Sequence, residues 1–510
     1  MSTLLEHPSI SLPAVADDRP NRLLLVAYNF PPVGGAGVQR PVKWVKNLRR
    51  MGWDVTVLTT ENPSVPARDE SLLADIPDDV LVIRARTWEP DYRTKQGLVD
   101  QSATAGSRGI VARVRNVVKG IVKQGIKLTL QPDPQVLWVP NAIRAGRQIL
   151  REVPHDAILV TAPAYSSFFI GTALKRRSGL PLVLDFRDEW DMSGRYLENA
   201  QRDRVSRMIQ ERMQQYVLCQ ADAVVATTRA STENLARKLA RLKKPNVRTA
   251  AIYNGFDAED FASAPVVEAN SVCENQDDGP AASAADPVVD TTERVPAGGS
   301  MLSPPVAQRS TIKKFRLLYT GTLWNLTTIE PLVEAVLRLH KTAPDLVARL
   351  ELVCVGRKTP EQTAILQRLR TTPCRLELVD YCEHARVLDW LRSTDAVCLL
   401  LSDVTGAERV VPAKLFEYLA NRRDMLAIVP RGETADIVRQ FFPAGHVEPK
   451  DIDGIAAWLK IRLAAEAEAT PHAFDEAELE EFSRATQTRR LVTLLDELVQ
   501  SRHQTRKGTR

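Results

Sequence analysis

Apolar residues along this chain fall into two patterns: short continuous runs, and longer stretches with an apolar residue at every third or fourth position. Arg22 to Tyr28 is a run of the first kind and predicts a buried strand. After the loop Asn29-Phe-Pro-Pro-Val-Gly-Gly-Ala-Gly37, Val38, Val42, Val45 and Leu48 recur at helical spacing, Gly52 ends the helix, and Asp54 to Thr60 is the next strand. That is a β-α-β unit, the start of a parallel sheet with right-handed crossovers. Val80 to Ala85, Ala157 to Thr161, Pro181 to Asp185, Ala221 to Thr227 and Arg248 to Tyr253 predict further strands, and the Asn254-Gly255 turn closes the set. The alternation restarts at Lys314, with strands predicted at Phe315 to Thr320, Arg349 to Val355, Arg375 to Asp380, Asp395 to Leu401 and Met425 to Val429. Phe482, Ala485, Leu491, Leu494, Leu495 and Leu498 then mark a last helix.

This pattern predicts two doubly wound α/β domains facing each other across a cleft, residues 21–257 and 313–472. The terminal helix, 473–500, is expected to pack back toward the first domain, and a basic tail occupies 501–510. Residues 1–20 read as a disordered tail. Residues 258–312 are rich in Ala, Ser, Asp and Pro, and no aromatic stands between Phe261 and Phe315. Such a segment buries too little apolar surface to offset its ordering entropy, and reads as a disordered linker.

Composition narrows the class. At 510 residues, 44% hydrophobic and 26% charged, the chain is an ordinary multi-domain globular protein. Its net charge of +5 is small for this length and gives no sign of a nucleic-acid partner. The six cysteines form no Cys-x2-Cys pair and no cluster with His, which argues against a zinc site and for a reducing compartment. Neither a signal peptide nor a membrane span is recognisable, so a cytoplasmic location is expected, with any membrane contact peripheral and on the inner face. The candidate for that contact is 110–130, where Arg113, Arg115, Lys119, Lys123 and Lys127 alternate with apolar residues, and no acidic residue lies between Asp100 and Asp133. A basic amphipathic helix of this kind suits an anionic lipid surface; the alternative is a helix packed on its own sheet with a solvated basic face.

Three segments can carry chemistry. The first is Ser402 to Asn421, a loop and helix start after a buried strand. Pro412 is placed in the helix's first turn, Lys414 adds charge there, and Glu417 stands one turn on, where a carboxylate can accept from sugar hydroxyls. An ordinary amphipathic helix with Leu415, Phe416 and Leu419 packed inward explains the same spacing. The second is the Gly34-Gly35-Ala36-Gly37 loop, which can approach a phosphate through its amides, although Arg40 occupies the third position of a dinucleotide fingerprint. A simple flexible turn is the alternative. The third, Asp185-Phe-Arg-Asp-Glu-Trp190, ends a strand where ligands bind in open sheets; it serves either a substrate or a structural ion pair.

Together these residues resemble the retaining, nucleotide-sugar-dependent glycosyltransferases of family four, which have the GT-B fold. The resemblance rests on Gly34 to Gly37, Asp185 to Trp190 and Lys414-Leu-Phe-Glu-Tyr-Leu-Ala420, supported by Thr161-Ala-Pro-Ala-Tyr-Ser-Ser-Phe168, Asn254-Gly-Phe-Asp257 and Tyr319-Thr-Gly321. It implies an acceptor side on the first domain, a nucleoside-diphosphate sugar on the second, and reaction in the cleft. The implied catalytic residues are Asp188, Arg187, Lys414 and Glu408. The implied donor-binding residues are Gly34, Gly35, Gly37, Gly321, Arg409, Lys414 and Glu417, the last on the ribose. Neither a metal nor a separate cofactor is implied, since the UDP- or GDP-linked sugar is a substrate. A glycan or lipid-linked acceptor in surface polysaccharide or glycolipid assembly completes the expectation.

The chain departs from the family's pattern at three places. Relatives usually have a second carboxylate eight positions before the ribose-binding one; Arg409 stands there, with Glu408 beside it. Many carry Arg and Lys after the second domain's first strand, where this chain has Thr322 and Thr327. The position of a frequent His falls on Tyr165 to Phe168, which offers none. A nucleotide-sugar epimerase and a catalytically degenerate, membrane-associated partner subunit are the alternative readings.

Overall fold

The computed structural model describes residues 19–65, 68–90, 130–192, 203–262, 314–465 and 471–508. The predicted tail 1–20 and linker 258–312 lie largely outside them, and so does the basic segment 110–130, except for Leu130.

The first sheet has seven parallel strands in the order β3-β2-β1-β4-β5-β6-β7. They are β1 (Arg22–Ala27), β2 (Asp54–Thr60), β3 (Leu81–Ala85), β4 (Ala157–Ala162), β5 (Leu182–Phe186), β6 (Ala223–Ala226) and β7 (Arg248–Ala251). The second sheet has six, in the order β10-β9-β8-β11-β12-β13: β8 (Phe315–Thr320), β9 (Leu350–Val355), β10 (Arg375–Val379), β11 (Ala396–Leu400), β12 (Asp424–Ile428) and β13 (His446–Val447). β13 was not predicted; its two residues, one of them polar, leave no period to read.

Leaving aside single-turn pieces, the helices of the first half are α1 (Ala36–Arg50), α2 (Val139–Glu152), α3 (Ser167–Ser178), α4 (Arg204–Gln220) and α5 (Arg229–Arg241). Those of the second are α6 (Glu330–Thr342), α7 (Pro360–Gln367), α8 (His384–Arg392), α9 (Lys414–Asn421), α10 (Glu433–Phe441), α11 (Ile452–Ala464) and α12 (Arg484–Gly508). α9 begins two residues later than expected. Pro412 precedes it, and its carbonyl accepts from the Leu415 amide (3.0 Å) in a tighter turn.

Alternation along the strands divides each core into two faces. On β1, Leu24 and Val26 join α2 and α3 residues such as Ala142, Ile149, Phe168 and Leu174. Leu23 and Leu25 join Val38, Val42, Val45 and Leu48 of α1, together with Leu491, Leu494, Leu495, Leu498 and Val499 of α12. The chain's last helix therefore completes the first sheet's core, after the chain has built the second. In the second sheet, Leu317 and Tyr319 face α6 and α11, while Leu318 faces Leu415, Phe416 and Leu419 of α9.

The return crossing is made by backbone pairing. Phe256 donates to the Phe482 carbonyl (3.1 Å), Arg484 donates to the Phe256 carbonyl (2.7 Å), and the two segments form a parallel bridge at Phe256 and Ser483. Gly255 allows this approach: its φ is +69°, and a Cβ there would stand 2.7 Å from the Phe482 carbonyl oxygen and 3.1 Å from the Arg484 nitrogen. Gly255→Ala is therefore expected to cost about 2 kcal/mol. It should lower Tm and release α12 earlier in limited proteolysis; an unchanged proteolytic pattern would show that the crossing does not depend on this contact.

Candidate active site

Strand order reverses between β1 and β4 in the first sheet and between β8 and β11 in the second. Loops leaving the carboxyl ends of strands at such points open a crevice. Here the two crevices face each other and enclose a cavity of about 470 Å³. The Gly loop follows β1 and Pro163 follows β4; Thr320 and Gly321 end β8, and the segment from Gly406 to Glu417 follows β11.

The first wall is held by ion pairs. Arg40 is buried in α1 and grips Asp185 with two hydrogen bonds (2.9 and 3.2 Å), while Thr161 donates to the same carboxylate (2.7 Å). Arg40 also donates to the Tyr253 carbonyl (2.8 Å) and lies over the Trp44 ring. The first acid of Asp185-Phe-Arg-Asp is thus structural. Among the described residues Arg187 makes hydrogen bonds only to carbonyls, those of Gly37, Ala162 and Pro163, and burial lowers its pKa. Asp188 opens onto the cavity, and no hydrogen bond reaches its carboxylate among the described residues. Desolvation by the surrounding protein raises its pKa, with Arg187 opposing. Gly35 and Gly37 line the cavity. Gly34 does not; a Cβ there would meet the Tyr381 hydroxyl at 2.4 Å, so its smallness serves the contact between the domains.

On the second wall Lys414 is the outstanding feature. Its ammonium donates to the Thr320 carbonyl and lies 4.0 Å above the Tyr319 ring, with no carboxylate at ion-pair distance among the described residues. Gly321, at φ +109°, leaves room for it: a Cβ would stand 2.7 Å from Nζ. Burial brings the Lys414 pKa down from the ordinary 10.5 to about 7. Glu417 lines the same cavity and accepts from His384 Nε2 at 3.0 Å. Burial alone would raise the Glu417 pKa, but His384 and Arg484 outweigh it and the carboxyl lies below its ordinary value.

The other two candidates on this wall are engaged. Arg409 is held by Glu189 of the first domain (2.8 and 3.1 Å) and by Glu408 (2.6 Å). Glu408 does not line the cavity; it is half exposed and accepts from the Gly406 amide at 3.0 Å, so the structure does not bring it together with Lys414 and Glu417. Thr327 donates to the Thr322 carbonyl (2.6 Å), so these two residues close their own loop. Of the implied site cations, Arg409 is paired with carboxylates and Arg187 donates to carbonyls, while Lys414 has no carboxylate at ion-pair distance among the described residues.

Sequence reasoning missed His384, Arg484, Glu189 and Asp69, all of which line the cavity. His384 follows shortly after the carboxyl end of β10, a position that points to ligands in this architecture. Arg484 has no local signal; it arrives by the return crossing. Among the described residues no group of three or more His, Cys, Asp or Glu is placed to hold a metal ion.

A partly desolvated ammonium with no carboxylate at ion-pair distance costs stability. In the unfolded chain Lys414 titrates near 10.5 and in the fold near 7, so between these values the unfolded state binds more protons and stability rises with pH. Lys414→Met is therefore expected to stabilise the ligand-free protein, on the order of 2 kcal/mol below pH 7, with the gain fading toward pH 10. Thermal denaturation of both proteins across this range measures it, and a lower Tm for the variant at pH 6 would contradict it.

Residues 34–255 match the family model described as a glycosyl transferase 4-like domain. No curated protein matches the sequence. Among solved structures, Anabaena HepE in complex with UDP-glucose is 12% identical, with 93% of this chain and 99% of that one covered and a TM-score of 0.55. An alpha,alpha-trehalose-phosphate synthase (UDP-forming) from Burkholderia vietnamiensis is 14% identical, with 94% and 100% covered and a TM-score of 0.54. The N-terminal domain of a trehalose-6-phosphate phosphatase from Candida albicans is 10% identical, with 96% and 100% covered and a TM-score of 0.56. The fold is thus the two-sheet GT-B arrangement, and its first half matches the glycosyl transferase 4-like domain.

Proposed function

We propose that this protein is a retaining, metal-independent glycosyltransferase. It would move a sugar from a UDP- or GDP-linked donor to a glycan or lipid-linked acceptor in surface polysaccharide or glycolipid assembly. The observation that carries the reading is Lys414, a half-buried ammonium with no carboxylate at ion-pair distance among the described residues, lining the same cavity as Gly35 and Gly37. Such a site favours a polyanion, and a nucleoside diphosphate meets that demand. The family match over 34–255 and the UDP-sugar bound by the HepE neighbour support the same donor class.

In this reading the domain of residues 21–257 takes the acceptor and that of 313–472 the donor, with 473–500 returning to the first. Glu417 accepts from the ribose hydroxyls. Lys414, aided by the Gly-loop amides, neutralises the diphosphate as the bond from sugar carbon to phosphate oxygen breaks and the electron pair passes to the leaving oxygen. Asp188, opening onto the cavity, is assigned to the transferred sugar, where it can accept from a hydroxyl.

Screening UDP- and GDP-sugars by thermal shift is the direct test, since a ligand of the native state raises Tm. One donor family is expected to raise it, and Glu417→Ala to abolish the shift. No shift with any nucleotide sugar would favour a partner subunit without turnover.

No described helix is long and apolar enough to cross a membrane. The lipid-linked option therefore places the protein peripherally on the inner membrane face, through the basic segment 110–130. Flotation with anionic but not neutral vesicles is the expected result, and equal recovery with both would remove that segment's assigned role.

A further inference from the structure

Two cationic side chains converge on one oxygen of Glu417. His384 Nε2 lies 3.0 Å from Oε1, and the Arg484 guanidinium approaches the same atom at 3.7 Å. No hydrogen bond reaches Oε2 among the described residues, and Glu417 lines the cavity. One lone-pair-bearing oxygen is therefore fixed by protein and the other is left to a ligand.

The two holders come from different parts of the fold. His384 opens α8 of the second domain, but its amide donates to Asp69 Oδ2 (3.2 Å) in the loop after β2 of the first. Arg484 opens α12 and is set by the Phe256 pairing; it is 6% exposed. Among the described residues its Nε and one terminal nitrogen have no hydrogen-bond partner, with Asp260 at 3.9 Å and Glu417 at 3.7 Å, so its charge acts through space. Glu417 is thus oriented only while the two domains and the return crossing are in register.

We infer that His384 and Arg484 are positioning residues for nucleotide binding, holding Glu417 by Oε1 so that Oε2 meets the ribose 2′ and 3′ hydroxyls. This rests on the nucleotide-sugar reading above. The charged groups facing His384 are Glu417, Arg484 and Asp260, with Asp69 on its backbone and Lys43 acting on Glu417. Burial opposes the imidazolium, but Glu417 outweighs it and His384 titrates above its ordinary value. Protonated His384 is then the form that holds the carboxylate, and its grip weakens as pH rises through that titration.

The test compares UDP with 2′,3′-dideoxy-UDP, and GDP with its dideoxy analogue, by calorimetry at pH 6.0 and 8.5. Lys414 meets the diphosphate of both members of a pair, so its titration cancels in their affinity ratio. His384→Ala is expected to weaken the ribonucleotide about tenfold and leave the dideoxy analogue nearly unchanged, as befits the loss of a charge-assisted hydrogen bond. His384→Gln, which keeps a neutral donor, should recover most of the ratio and lose its pH dependence. Arg484→Lys should keep the ratio and Arg484→Met reduce it. Equal weakening of both ligands, or of neither, overturns the inference. Failure of the wild-type protein to bind either ribonucleotide instead overturns the nucleotide reading on which it rests. Without ligand, the His384 imidazole signal in NMR should titrate at lower pH in Glu417→Gln, and an unmoved titration would also overturn it.

Discussion

The first wall of the cleft depends on the pair between Arg40 and Asp185. It joins the helix after the Gly loop to the end of β5, and through the Tyr253 carbonyl to the segment that follows β7. A fully buried guanidinium and carboxylate must be matched in charge and in hydrogen bonds, and Thr161 supplies part of the remainder. This explains why the loop lacks a third glycine of the dinucleotide type. Arg40 stands at that position because the helix is tied down there by charge instead of by close backbone packing.

Pairing of this kind also decides which charges remain available to a ligand. Arg409 is matched by Glu189 across the cleft, and its carbonyl accepts from Thr228 and Ser231. Glu433 accepts from the first amides of α5, Arg229 and Ala230, and from the Tyr253 hydroxyl. These contacts hold the domains together on one side of the cavity, and the approach of Tyr381 to Gly34 does so on another. Lys414 is left between them with no carboxylate at ion-pair distance among the described residues. A partly desolvated ammonium of this kind lowers stability, and its retention makes physical sense where an anion arrives to complete it.

The return of the chain at Phe256 and Ser483 links fold to chemistry in one stroke. It places Leu491 to Val499 on the first sheet's core and Arg484 beside Glu417. Neither domain alone contains the full cavity lining, because Asn254 and Arg187 come from one, Glu417 and Lys414 from the other, and Arg484 from the crossing.

The sequence by itself determined the two parallel sheets, because strand and helix periods are local. Val38, Val42, Val45 and Leu48 face the core as their spacing requires, and Phe315–Thr320 is a strand as read. It also placed Gly35, Gly37, Asp188, Lys414 and Glu417 at the carboxyl ends of strands, where topology brings them to one cavity. Tertiary structure alone decided which charges neutralise each other. Arg40 meets Asp185 across 145 positions and Arg409 meets Glu189 across 220, and no local pattern reports such contacts. The same holds for Glu408, whose short tether turns it back onto the Gly406 amide, and for Arg484, whose place follows from where the chain returns. Spacing records which face a residue is on; partners are set by the packing of distant elements, and the chemistry of this cleft lies in the partners.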